Sequence, residues 1–144
     1  MKDVYWEIEV VYSEPYVILF FTETAKFGKE GQPFGEEAKE YLMSMMMDQM
    51  VNIRLLQKDQ YSRGVAEVQV GGPFFGWPKK YMDQEMLKAG LAEVYLGGGA
   101  VYGHRGKDFY LDLQEKARKS KKGIWSQKNR ESAAEYKARM KAED

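Results

Sequence analysis

Residues 51–70, VNIRLLQKDQYSRGVAEVQV, restrict what this chain can fold into more than any other stretch. Val51, Ile53 and Leu55 alternate with Asn52 and Arg54, the two-residue period of a half-buried strand. The chain then turns through Gln57-Lys58-Asp59-Gln60 and restarts as a second strand from Gly64 to Val70. The whole stretch predicts a β-hairpin.

The remaining bounds are broad. With 144 residues the chain is one domain, long enough to bury a core unaided. It has no cysteine, which excludes a disulfide framework and a thiolate metal site. Lysine plus arginine and aspartate plus glutamate both number 22, so the formal net charge is zero. A dedicated nucleic-acid binder usually carries a basic excess, and neutrality weighs against that role. No apolar run approaches the roughly 18 residues of a membrane-spanning helix. The opening MKDVYWEIEV is acidic and strand-like, unlike a signal peptide or an arginine-rich transit sequence, and it fixes no compartment.

Val4–Tyr12 and Tyr16–Phe21 are β-rich runs joined by the turn residues Ser13-Glu14-Pro15. Thr22–Gly35 reads as a loop, and Glu36–Met50 as a helix with Ala38, Tyr41, Leu42, Met45, Met46 and Met50 on its core face. Gly71–Lys80, GGPFFGWPKK, is expected to be irregular. Its Phe74, Phe75 and Trp77 either fold back onto the domain or form a docking surface. A short helix, Asp83–Ala89, should end at Gly90, followed by an extended Leu91–Tyr95. Gly97–Gly106 is a flexible loop whose His104, the one histidine, is read as solvated beside Arg105. Lys107–Lys122 is the last domain helix, stopped by Gly123, with Ile124 and Trp125 folding back as an apolar lid. Residues 1–126 then form the domain and 127–144 a charged helical tail. In that tail Ser132 is the cap, Glu135 supports Arg139, and Tyr136 and Met140 are the partner-facing apolar side chains.

Three ordered motifs carry a resemblance. Asp59-Gln60-Tyr61-Ser62-Arg63 resembles the D-x-Y-G-R element of the staphylococcal nuclease (thermonuclease) family, with serine for glycine. Met86–Tyr95 is similar to the family's M-x-x-x-G-L-A-x-V-Y, and Ala117–Trp125 to its closing A-K-x-x-x-x-G-I-W. The resemblance implies an α+β, mainly β fold: an antiparallel OB-type barrel with three helices and the helical tail. The Val4–Tyr12 hairpin would correspond to the barrel's second and third strands, so the first strand is expected to be lacking.

The resemblance also implies a site. In the family two aspartates and a threonine carbonyl bind calcium, a glutamate handles the attacking water, and two arginines hold the phosphate. Glu23 falls on the glutamate position and Arg63 on the second arginine, with Asp59 and Tyr61 in the same motif. The first arginine position is Pro15, one aspartate position is Phe20 followed by Phe21, and Gln114 stands where relatives usually have glutamate. A calcium ion takes about six to eight oxygen ligands, and phenylalanine supplies neither charge nor ligand. The residues therefore favour a non-catalytic, pseudo-nuclease domain with vestigial Glu23 and Arg63. No metal site or cofactor is expected. Its role would be that of a structural or accessory subunit, meeting other protein subunits through Phe74, Phe75, Trp77, Tyr136 and Met140, with peripheral membrane-complex association compatible. The alternative is a calcium-dependent endonuclease of DNA or RNA, and a further alternative is a nucleic-acid-binding OB module. An organelle, mitochondrion or plastid, is the favoured location, with cytoplasm left open.

Overall fold

The computed structural model describes residues 19–21, 33–58, 64–72 and 77–142. Its elements, in chain order, are β1 (Leu19–Phe21), α1 (Gly35–Met46), β2 (Val51–Lys58), β3 (Gly64–Gly72), β4 (Trp77–Tyr81), α2 (Met82–Ala89), β5 (Ala92–Val94), α3 (Lys107–Lys119), a 3₁₀ turn (Gly123–Ser126) and α4 (Ala133–Ala142). Among the described residues the strands form two antiparallel sheets, β1-β5 and β2-β3-β4. The expected Val4–Tyr12 hairpin lies outside the described residues.

The hairpin of 51–70 forms with Val51 opposite Val70 and Arg54 opposite Glu67. A register shift between Leu55 and Gln57 inserts Leu56 as the extra residue of a β-bulge. The apolar face is buried at its Val70 end, while Ile53 and Leu55 are exposed. Leu56, re-aimed by the bulge, packs against the core in their stead. The irregular segment expected over Gly71–Lys80 is corrected at both ends. β3 runs on to Gly72 and pairs with Trp77, the first residue of β4. Pro78 is tolerated there because β4 is the edge strand among the described residues, where a missing N–H need not break a ladder.

The core gathers around α2. Met82, Met86 and Leu87 are buried on one side of this helix, and Lys88 pairs with Glu85 on the exposed side. Tyr110 and Leu113 from α3, Ala92 and Val94 from β5, and Ala38 and Leu42 from α1 complete the cluster. α2 ends in a Schellman motif: the Gly90 N–H bonds to the Leu87 carbonyl and the Leu91 N–H to that of Met86.

Three helix ends differ from expectation. α1 stops at Met46 rather than Met50, because Asp48 takes a left-handed φ of 56° and swings the chain into β2, leaving Met50 exposed. α3 stops at Lys119, and Lys121 already takes a positive φ of 50° two residues before Gly123 does the same. In the tail, Glu135 accepts from both the N–H and the hydroxyl of Ser132, whose oxygen accepts the Glu135 N–H, a capping box. Glu135 is thereby engaged, and Arg139 reaches back to Glu131 at 2.9 Å. Tyr136 is buried within the chain itself. Of the Ile124-Trp125 lid, Ile124 is buried and Trp125 only partly so. The Arg130 guanidinium lies 4.4 Å from the Trp125 ring centre and makes two bonds, 2.8 and 3.0 Å, to Glu93 of β5.

Candidate functional site

β1 and β5 define one candidate region. Leu19 pairs with Val94, Phe20 with Glu93 and Phe21 with Ala92. Phe20, which stands at one of the resemblance's aspartate positions, thus sits with Phe21 in a strand beside Glu93. That glutamate is no substitute ligand, since both its carboxylate oxygens are bonded to Arg130. No group of three or more His, Asp or Glu able to hold a metal occurs among the described residues. Gln114, flagged as a departure, accepts the Val94 N–H at 2.7 Å and so ties α3 to β5.

Glu23, Asp59, Tyr61, Arg63, Phe74 and Phe75 lie outside the described residues. In sequence, 59–63 links β2 to β3, and 73–76 links β3 to β4. Trp77 opens β4, and Met140 belongs to α4.

A second constellation lies on the other side of the hairpin, and the sequence reading missed it. Glu67, 5% exposed, accepts two bonds from Arg54 at its Oε2, from Nε at 3.1 Å and Nη2 at 2.8 Å. Its Oε1 meets His104 Nδ1 at 3.0 Å. The reading of His104 as merely solvated is thus corrected: a buried carboxylate holds it, and its ring stacks obliquely on Tyr81 at 4.9 Å. Further bonds hold the 95–106 loop, from the Tyr102 hydroxyl to the Tyr95 carbonyl and from the Gln57 amide to the Gly99 carbonyl. The one signal available in the sequence was a glutamate inside the apolar run V-A-E-V-Q-V. Only the register puts Arg54 opposite it, and only the tertiary fold brings His104.

Burial pushes the Glu67 carboxyl up, but the bonds from His104 and Arg54 outweigh it and hold the group below the ordinary carboxylate range. Its contribution to stability is present above the unfolded-state pKa and is lost as pH falls through the lower folded-state value. Asp83 behaves oppositely. Burial raises its pKa, and the charge of Glu67 adds to the rise against the pull of Tyr110 and the Gln84 N–H. Its Oδ1 accepts the Gln84 N–H at 2.8 Å. Its Oδ2 and the Tyr110 hydroxyl are buried without a hydrogen bond of good geometry, although the phenol is near enough to act on the carboxyl.

A carboxylate whose pKa is raised on folding loses stability as pH climbs from the unfolded to the folded value. Asp83→Asn keeps the Oδ1 acceptor and turns the unsatisfied Oδ2 into a donor facing the phenol. It should stabilise the protein at pH 7 by on the order of 1 kcal/mol. Urea denaturation should show that gain shrinking as pH is lowered from the raised folded-state value to the ordinary aspartate value. A loss of stability at pH 7, or a gain independent of pH, would contradict this account of the buried pair.

The family model for staphylococcal nuclease homologues matches residues 21–127. Among similar proteins, Endonuclease Htp3 of Saprolegnia parasitica is 47% identical over 118 residues, covering 81% of this chain and 54% of that protein. Probable endonuclease LCL3 of Saccharomyces cerevisiae is 41% identical over 118 residues, covering 82% of this chain and 42% of that protein. The LCL3 protein of Schizophyllum commune is 35% identical over 123 residues, covering 81% and 41%. The chain belongs to the staphylococcal nuclease family and has its α+β, OB-like fold. It spans about half the length of these relatives. No helix among the described residues is long and apolar enough to cross a membrane.

Proposed function

We propose that this chain is a phosphodiester-cleaving domain of the endonuclease type. The observation that carries the reading is the family match over residues 21–127, which takes in both Glu23 and Arg63, together with the 47% identity to a protein named an endonuclease. In this reading Glu23 accepts a proton from the attacking water as the new oxygen–phosphorus bond forms. Arg63 holds the phosphate oxygens as charge builds on them, and the bond to the leaving nucleotide oxygen breaks.

A second reading, a non-catalytic domain docking other subunits through Phe74, Phe75 and Trp77, is favoured by Phe20 and Phe21 in β1 beside an already paired Glu93. One experiment separates the two. Purified protein is incubated with single-stranded DNA and RNA, with and without millimolar calcium, alongside Glu23→Gln. The endonuclease reading expects cleavage that falls about 10²–10⁴-fold in the variant. Absence of cleavage under every condition establishes the non-catalytic reading instead.

A further inference from the structure

An amphipathic surface helix ordinarily turns polar side chains to water, and α1 departs from that rule. Its inner face carries Ala38 and Leu42 into the core. At 100° per residue, Glu36, Glu40, Met43 and Met47 fall within an arc of about 60° on the opposite side. All four are exposed, and Met43 and Met47 keep 39% and 56% of their surface in solvent. The helical path reaches Met47, whose N–H bonds the Met43 carbonyl at 2.8 Å. Met50, 70% exposed, follows beyond the turn. These are three of the six large hydrophobic side chains exposed among the described residues, gathered in one short stretch. Scattered exposed apolar residues are normal on a surface, whereas a cluster marks a contact.

The charge around these methionines is one-sided. The whole chain balances 22 basic residues against 22 acidic ones. Over 36–48, however, Glu36, Glu37, Glu40 and Asp48 stand against Lys39 alone. Lys39 pairs with Glu36 at 3.6 Å. Glu37, Glu40 and Asp48 make no ion pair among the described residues. First-turn glutamates suit the helix dipole. The dipole does not account for Glu40, one turn further on. It disfavours Asp48, which follows the C-terminal end with no basic residue in the last turn.

We propose that the outer face of α1 is a docking surface for a basic amphipathic helix of a partner protein. The stripe runs about 16 Å along the helix axis, with glutamates at one end and methionines at the other. A partner helix laid along it sets lysine or arginine against Glu36 and Glu40, and leucine or phenylalanine against Met43 and Met47. The unbranched thioether chain of methionine re-packs around apolar side chains of different shape. The apolar half therefore demands little of the partner's sequence, and the carboxylates set the sign of its charge. Nucleic acid and anionic lipid carry the wrong charge for this face.

The test titrates a fluorescein-labelled peptide, LKKLLKLLKKLLKL, with the full chain and follows fluorescence anisotropy. A second peptide with glutamate at every lysine keeps the apolar face and reverses the charge. Saturable binding of the lysine peptide is expected, weakening with added salt, and the glutamate peptide should bind at least about tenfold more weakly. Glu40→Lys, and Met43→Ser combined with Met47→Ser, should each weaken binding of the lysine peptide about tenfold. All three positions are exposed, so thermal melting followed by circular dichroism should change little in either variant. No binding, equal binding of the two peptides, or binding unchanged in both variants would overturn the proposal. Two further results overturn it by naming another occupant. A large drop in melting temperature for the methionine variant means that the chain itself covers this face. Self-association without peptide that is lost in that variant, seen by sedimentation, means that a second copy does.

Discussion

Arg63→Ala is expected to lower the rate of strand cleavage by about 10²–10³-fold, the loss typical of one preorganised donor to developing negative charge. In the proposed function this arginine holds the phosphate, where its planar fork can donate to two oxygens at once. Arg63→Lys keeps the charge but not the fork, and should recover only part of the rate. Initial rates on a defined single strand, measured with the melting temperature of each variant, check the assignment. A rate loss that tracks a loss of stability would make Arg63 structural. If the wild type does not cleave and Arg63→Ala changes nothing, the non-catalytic reading stands.

Gly90→Ala and Gly123→Ala should each destabilise the fold by about 2–4 kcal/mol, through left-handed strain and a backbone clash. Both glycines hold positive φ, 71° at Gly90 and 50° at Gly123. They also face one another. A Cβ on Gly90 would overlap the Lys122 carbonyl, and one on Gly123 would overlap the carbonyl of Gly90. The Ile124 N–H bonds that same Gly90 carbonyl at 2.9 Å, so the end of α2 and the turn after α3 are joined backbone to backbone. This contact gives a physical reason for a glycine in both the G-L-A and the G-I-W motifs. Because the two substitutions disrupt one shared approach, the double variant should lose less than the sum of the singles. Urea denaturation of the three variants measures this. A loss below about 0.5 kcal/mol for either single would remove the contact from the account.

Local signals were legible where one mechanism dominated. The strand period over 51–55, the stop at Gly90, the Ser132 cap and the starts of α2 and α3 could all be read directly, to within a residue. Each depends on neighbours within a few positions, through side-chain alternation or the satisfaction of terminal N–H and C=O groups. The Trp77–Tyr81 strand was illegible because Pro78 argues against a strand anywhere but at an edge. Nothing local reveals that β4 is one among the described residues.

What the sequence determined by itself was the family, the hairpin and the helices. Spacing and residue type are preserved along a chain whatever its packing. What only the tertiary structure decided was pairing across distance. It buried Glu67 between Arg54, 13 positions away, and His104, 37 positions away. It took Glu93 out of ligand duty by giving it to Arg130. It also set Gly90 against Gly123. A buried charge must find its counter-charge wherever the fold brings one, and composition and periodicity carry no record of which distant residue that will be.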